Sequence, residues 1–327
     1  MDEYEKINPN RKEWAEFIDK CDNKNIFQTL YMKEVYEKTR DFEPVYIFLS
    51  NSEGEIVSGV LAYIRKKNMF SWSIIHGGPL FTDVDSLPHL LGEYDNEVKS
   101  KTLFTEIRNT SEIERNVKSI ILNQGYKYSD HLTFILDLSL GKDKIWKGMS
   151  RSLRKNIKRA KKKGVEIREI EKKSEIDDFY MVLKSTYDRA RIPLADVSLF
   201  RSAFDILKPK GMIKFDLAML EDKCIGGRVT LLFNGKMYAW YMGILREYGK
   251  YYPAALLNWN LIEWGIENGY RYLDLGGAGK PGEYSGRYLF KRQFGGKEIN
   301  FGRFKKIYSM KYKIAMMGFS LYRKIGI

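Results

Sequence analysis

Cysteine and histidine are scarce in this sequence: 327 residues hold two cysteines, Cys21 and Cys224, and three histidines, His76, His89 and His131. The cysteines are far apart and the histidines show no ligand spacing, which excludes a disulfide framework and a zinc site and gives no context for a cysteine nucleophile. Long apolar runs are missing too. The start, Met1-Asp2-Glu3-Tyr4-Glu5-Lys6, lacks the apolar core of a signal peptide, and no stretch approaches the roughly 18 residues of a membrane span. The expectation is a reduced, metal-free, cytoplasmic setting. There is no G-x-S-x-G elbow, no Walker loop, no dinucleotide fingerprint and no kinase signature set, so covalent catalysis is not indicated. Acidic residues are the last deficit. Against 56 Lys and Arg stand 42 Asp and Glu, a formal charge of +14. That excess favours a polyanionic partner such as RNA, a nucleotide-linked substrate or an anionic membrane surface, and it also suits a lysine-rich solvated surface.

What is present is enough to fold. A chain of 327 residues with 44% hydrophobic residues exceeds the usual size of one core, so two domains are expected. Apolar alternation predicts strands near residues 45–49, 56–64, 70–75, 103–107 and 133–138, with a turn at Gly77-Gly78-Pro79 and a boundary at Gly141-Lys142-Asp143. The second half predicts helices near 174–190 and 196–207 and a meander at 213–220, 223–233 and 236–242. Its tight turns fall at Glu221-Asp222 and Asn234-Gly235, the latter a strong hairpin signal. One internal echo links the halves: Asn123-Gln124-Gly125-Tyr126-Lys127-Tyr128 closes a helix before a strand much as Asn268-Gly269-Tyr270-Arg271-Tyr272 does. Tandem related domains would explain it.

The most informative stretch runs from Tyr251 to Gly296. Leu257, Leu261 and Trp264 recur at helical spacing, Asn268-Gly269 ends that helix, and Tyr270–Leu275 alternates as a strand. The turn ahead of the helix is Lys250-Tyr251-Tyr252-Pro253-Ala254. Proline has no N–H and tyrosine is bulky, so a close backbone cradle for a CoA pyrophosphate is disfavoured there. After the glycine-rich turn Gly276–Gly282 comes Leu289-Phe290-Lys291-Arg292-Gln293-Phe294-Gly295-Gly296, two cations set between aromatics. A lysine near apolar rings is satisfied by an anion or a developing oxyanion, whereas the plain alternative is two core phenylalanines with the lysine in water. On the strand before the helix, Ala239 and Tyr241 alternate onto one face, and with Tyr251 and Tyr252 they would make an aromatic, hydroxyl-bearing wall.

Ser150–Gly164 predicts a surface helix with serine caps and a narrow apolar stripe of Leu153, Ile157 and Ala160. Arg151, Arg154, Lys155, Lys158, Arg159 and Lys161–Lys163 supply the charge. Such a face can contact RNA phosphates, and it can equally be a solvated helix whose last lysines offset the dipole. The segment Lys305–Met317 is basic and apolar, which leaves open a peripheral contact with anionic lipid at the inner face of the membrane or packing onto the first domain.

Three segments together resemble the Fem family (FemABX) of non-ribosomal peptidyltransferases: Ser150–Val165, Tyr241–Trp259 with Y-M-G and Y-Y-P-A-A-L-L-N-W, and Leu273–Gly296 with L-D-L-G-G and L-F-K-R-Q-F-G-G. The resemblance spans most of the chain, from about Phe27 to Phe304. The family's first-domain Q-S-x-x-W stands here as Gln28-Thr29-Leu30-Tyr31, and the long coiled-coil arm of some members is missing. The resemblance implies an α/β (α+β) fold of two tandem GNAT-like domains, mixed sheets flanked by helices. The first would be residues 1–141, completed by 297–327, and the second 142–296 with the basic helix 150–163. It implies transfer of an amino acid from aminoacyl-tRNA to an amine of a nucleotide- or lipid-linked cell-wall precursor, with no metal and no cofactor. By the same resemblance Lys291 and Asp83 would be catalytic and Tyr241, Tyr252 and Arg154 would bind substrate; with them Arg292, beside Lys291, is a candidate for substrate binding, and Arg151, Lys155, Lys158 and Arg159 of the basic face for contact with tRNA phosphate. Two alternatives remain: a CoA-dependent N-acyltransferase acting on an amino sugar or surface-polysaccharide precursor, and a noncatalytic protein that binds RNA or a membrane surface.

Overall fold

The computed structural model describes residues 4–67, 70–312 and 317. The chain forms two compact units, one of residues 1–130 with 301–327 and one of residues 131–300.

The first unit is a mixed sheet in the order Glu5–Ile7, Phe42–Ser50, Ile56–Lys67, Phe70–His76, Phe104–Arg108, Arg303–Ile307, Lys127–Ser129, with Leu80–Phe81 paired to Ile56–Lys67. Helices Leu87–Val98 and Arg115–Asn123 bury Leu87, Leu90, Leu91, Tyr94, Val117 and Ile121 with Val60, Ile64 and Ile107 of the sheet. Gln28 is buried because its amide repairs backbone pairing: it takes the Leu61 N–H (2.7 Å) and donates to the carbonyls of Leu61 (2.9 Å) and His76 (2.8 Å). Strand Arg303–Ile307 lies antiparallel to Phe104–Arg108. Its lysines turn to acids of the same unit, Lys305 to Glu106 and Lys306 to Asp95. The start of the basic tail is therefore strand and ion-paired, not a lipid-facing helix; residues 313–316 and 318–327 lie outside the described residues.

The second unit is a sheet in the order Lys297–Asn300, Leu132–Asp137, Tyr272–Asp274, Lys236–Ile244, Lys223–Phe233, Ile213–Leu220, Val165–Glu169. All neighbours are antiparallel except Tyr272–Asp274 beside Lys236–Ile244. The hairpin turns carry positive φ at Glu221 (53°), Asn234 (47°) and Gly235 (70°), as tight primed turns require. Helix Pro253–Glu267 and the stripe Leu153, Ile157, Ala160 of helix Arg151–Lys162 share one core on one face. On the other face Phe179 of helix Ile176–Ala190 packs edge-on to Phe200 of helix Val197–Leu207 and to Phe215.

The boundary expected at Gly141 is corrected to Asp130/His131, and the one at Gly296 to Asn300/Phe301. Strand Leu132–Asp137 must satisfy its backbone on both sides, and its partners Tyr272–Asp274 and Lys297–Asn300 belong to the second sheet. Gly141, at φ 77°, is a turn inside that unit that opens helix Lys142–Gly148.

Candidate active site

The only parallel pair in the second sheet is short. Lys236, Met237 and Tyr238 face Tyr272, Leu273 and Asp274, and pairing then stops although the first strand continues to Ile244. Past Asp274 the chain follows strand Leu132–Asp137 instead, with Leu275 N–H on Phe134 O (2.9 Å) and Ala278 N–H on Leu132 O (2.7 Å). Two parallel strands that part in this way open a fork at the carboxyl end of the sheet.

Lys291 sits at that fork. Its Nζ donates to the carbonyls of Gly276 (2.8 Å) and Gly277 (3.0 Å). Gly276 has φ 76°, and a Cβ built on it would lie 3.1 Å from Ala239 O and 3.5 Å from Lys291 Nζ. The amine thus stands where the two strands separate, next to a backbone that only glycine lets so close. Lys291 is held by its helix, Gly286–Arg292, which Ser285 caps and which two aromatics fix: Tyr288, packed edge-on to Phe134 and bonded to Glu298 (2.6 Å), and the buried Phe294 just beyond it. Burial lowers the Lys291 amine to about 7; the cations Arg287 and Arg228 add to that and Asp274 opposes it. Asp274 forms no ion pair with it. Its Oδ1 accepts the Thr133 hydroxyl (2.5 Å) and the Gly276 N–H (2.8 Å).

A buried polar row lies beneath helix Pro253–Glu267. Arg228 pairs across strands with Asp216, yet its Nη2 donates to Asn258 Oδ1 (2.7 Å) while Asp216 takes Lys214 (3.0 Å). Burial lowers the Arg228 guanidinium to about 10.

The basic helix is docked onto the end of the lysine helix. Ser150 caps it by accepting from Leu153 N–H (3.2 Å), and Ser150 and Ser152 hydroxyls both reach Gln293 Oε1 at 3.1 Å. Arg151, Lys155, Lys158 and Arg159 are exposed. Arg154 is not: it donates to the carbonyls of Trp146 (3.2 Å) and Lys147 (2.9 Å), closing helix Lys142–Gly148. Lys158 and Lys161 line a groove of about 350 Å³ with Lys142, Trp146 and Trp259.

The expected aromatic wall does not form. A bulge shifts the register between Ala239, opposite Thr230, and Tyr241, opposite Val229. Cross-strand partners share a face, so the extra residue Trp240 sends Tyr241 to the face of Phe200 and Tyr187, with rings 5.0 and 5.8 Å away. Tyr252 starts the helix on the opposite face. Its φ is 58°, and its hydroxyl accepts from Arg159 at 3.5 Å. Arg292 is exposed. Asp83 belongs to the first unit, where it caps a helical turn: Oδ1 takes the Asp85 N–H (3.0 Å) and Oδ2 the Tyr4 hydroxyl (2.7 Å). Sequence reasoning missed Asp274, Thr133, Arg228, Asn258 and Gln293. Asp274, Asn258 and Gln293 lie inside the quoted segments L-D-L-G-G, Y-Y-P-A-A-L-L-N-W and L-F-K-R-Q-F-G-G, whereas Thr133 and Arg228 carried no local signal. His131, dismissed for want of ligand spacing, packs its imidazole against Gly277. No cluster of metal-ligating side chains occurs among the described residues, and no helix among them is long and apolar enough to cross a membrane.

The acetyltransferase (GNAT) domain model matches residues 147–292. The UDP-N-acetylmuramoylpentapeptide-lysine N(6)-alanyltransferase of Weissella viridescens is 24% identical over 278 residues, 78% of this chain and 81% of that enzyme. The solved structure of FemX superposes with a TM-score of 0.70 at 16% identity, over 96% of this chain and 99% of its own. The chain has the tandem GNAT fold. A tandem GNAT protein from the clavulanic acid biosynthesis pathway has a TM-score of 0.65 at 10% identity, over 94% of this chain and 99% of that one. The segment matched to the GNAT domain runs from just before the basic helix to Arg292, and thus holds both the fork and Lys291.

Proposed function

We propose that this protein is an acyltransferase that moves an aminoacyl group from an aminoacyl-tRNA to an amine of a peptide-bearing cell-wall precursor. The observation that carries the reading is Lys291 Nζ at the fork of the parallel pair, hydrogen-bonded to Gly276 and Gly277. Acyl transfer by direct attack needs an uncharged amine beside the ester carbonyl and a hydrogen-bond donor where the oxyanion develops. As an ammonium Lys291 has a third N–H beyond the two that Gly276 and Gly277 take, and the reading gives that hydrogen to the oxyanion.

A tRNA donor is supported by the exposed cations Arg151, Lys155, Lys158 and Arg159 on a helix whose start is bonded to Gln293, two residues past Lys291. Phosphate charge and helical shape are what such a face reads. A CoA donor is disfavoured at the start of helix Pro253–Glu267. Pro253 at its first position offers no N–H, and the Ala255 and Leu256 N–H groups are turned back to Tyr252 O at 3.1 and 3.3 Å. Similarity to an enzyme named for alanyl transfer to the lysine of a muramoyl-pentapeptide supports the acceptor class. Tyr241 and Tyr252 are assigned to orienting the acceptor, and Arg292 to substrate contact.

The test is the turnover of Lys291→Ala with a UDP-linked muropeptide and charged tRNA. The reading requires loss of turnover with acceptor affinity unchanged; full turnover would sink it.

A further inference from the structure

We propose that the end of the first unit's sheet that carries Phe70, Ile307 and Met310 is a membrane-contact surface whose partner is a bilayer face rich in anionic lipid. This surface is independent of the acyl-transfer reading, since vesicle binding is read without substrate.

Four neighbouring strands bring these residues together. Strand Ile56–Lys67 ends and Phe70–His76 begins with Lys67 opposite Phe70. Ser71 O then takes the Leu103 N–H (2.9 Å), Leu103 O takes the Tyr308 N–H (3.0 Å), and Ile307 stands opposite Phe104. The beginnings of Phe70–His76 and Phe104–Arg108 and the end of the returning strand Arg303–Ile307 therefore share one end of the sheet. Single apolar side chains on a surface are ordinary, but here they gather: Phe70 is 40% exposed, Ile307 48% and Met310 81%. Beside them Phe104 is flanked by Trp72, stacked at 6.5 Å, and by Tyr312, edge-on at 5.3 Å, all three half-buried. An apolar edge backed by tryptophan and tyrosine suits the bilayer interface, where amphipathic rings settle at the level of the headgroups.

Charge selects the kind of bilayer. Residues 299–327 contain seven Lys or Arg and no Asp or Glu, which is half of the chain's formal charge of +14. Lys305 and Lys306 are used within the unit, on Glu106 (3.5 Å) and Asp95 (2.5 Å). Two acids that reach this end of the sheet are engaged as well: Glu43 takes Lys66 (2.7 Å), and Glu97 takes Lys101 (2.6 Å). Lys67 and Lys311 are exposed. From here the chain runs on as residues 311–327, which in sequence hold four Lys or Arg, no acid and ten apolar residues; Met317 among them is 73% exposed. Cations interleaved with apolar and aromatic side chains, unrelieved by any acid, match a layer that presents phosphate at its surface and hydrocarbon beneath. Lysine stems let the charge stay at the headgroups while Phe70, Ile307 and Met310 enter the layer. Neither contribution suffices alone: a few apolar side chains hold a bilayer weakly and reversibly, and attraction to anionic headgroups adds about fivefold per cation.

The test is sedimentation of the intact protein with vesicles of phosphatidylcholine containing phosphatidylglycerol, and with vesicles of phosphatidylcholine alone, at physiological salt. Affinity should be about tenfold or more higher for the anionic vesicles. Met310→Glu, at a side chain outside the strands, should leave denaturant unfolding unchanged and weaken that affinity about tenfold or more, because an acid replaces an apolar group that enters the layer. Lys155→Ala with Lys158→Ala, in the second unit, should sediment as wild type does. Absence of binding to anionic vesicles overturns the proposal, and so does Met310→Glu binding like wild type. Equal affinity for both vesicle types overturns it as well, as does equal loss in the Lys155 and Lys158 variant, which would mean that charge alone binds. A dimer in vesicle-free solution that Met310→Glu dissociates would assign the surface to a second copy of this chain and overturn it too.

Discussion

Ser150 and Gln293 are bonded twice: Ser150 N–H donates to Gln293 O at 2.9 Å, and the Ser150 hydroxyl to Gln293 Oε1 at 3.1 Å. The cap of the basic helix is thereby fixed to the end of the helix that carries Lys291. Gln293→Ala removes the acceptor shared by Ser150 and Ser152. It is expected to cost about 1 kcal/mol in denaturant unfolding, as lost hydrogen bonds usually do. Because it loosens donor position relative to Lys291, it should also lower kcat/KM about tenfold or more. Unchanged kcat/KM would mean the junction serves folding alone.

Asp274 and Arg228 push the Lys291 amine in opposite directions. One limb of the pH profile of kcat/KM reports the titration of Lys291. Asp274→Asn removes the group that raises its pKa, so the limb moves to lower pH. Arg228→Met removes a cation that lowers it, so the limb moves to higher pH. Limbs that move together, or not at all, contradict the assignment.

Arg154 and its neighbours separate structure from binding. Arg154 gives its guanidinium to the carbonyls of Trp146 and Lys147, so Arg154→Ala should destabilise the fold by about 1.5–3 kcal/mol, the range for hydrogen bonds that involve a charged group. Lys155→Ala with Lys158→Ala touches only exposed charge. That pair should leave unfolding unchanged and flatten the salt dependence of tRNA affinity by about one unit of log–log slope per cation.

Glu106 ties the returning strand into the first unit through Arg108 (2.6 Å), Arg303 (3.2 Å) and Lys305 (3.5 Å). Burial alone would raise its carboxyl, but these cations outweigh burial and hold it down at about 2 against an ordinary 4.5. A lowered carboxylate stabilises above its unfolded pKa and loses that contribution as pH falls through the folded one. The loss, about 3 kcal/mol at 1.36 kcal/mol per unit, should fall between about pH 5 and pH 2. Glu106→Gln should remove that decline from the unfolding curve.

The elements most legible in the sequence were those set by local chemistry. Helix Pro253–Glu267 and the Asn234-Gly235 hairpin follow from apolar period and from residues that tolerate positive φ. The basic helix was equally plain, since Leu153, Ile157 and Ala160 are its only wide-spaced apolar stripe. Strand Leu132–Asp137 was found but assigned to the wrong unit, because its partners lie beyond residue 270 and pairing at that distance leaves no mark on local pattern. Tyr241 was placed on the wrong face because alternation assumes an unbroken register, and one bulge reverses it. Lys291 was visible as a cation among aromatics. That two glycine carbonyls hold its amine could be read only from the fold.

The central claim is tested most directly by the donor. Purified protein is given tRNA charged with labelled amino acids or, in parallel, labelled acetyl-CoA, against UDP-linked muropeptide and amino-sugar acceptors, and label is followed into product by mass spectrometry. Label should arrive from the charged tRNA on a muropeptide amine. Label arriving only from acetyl-CoA would contradict the account.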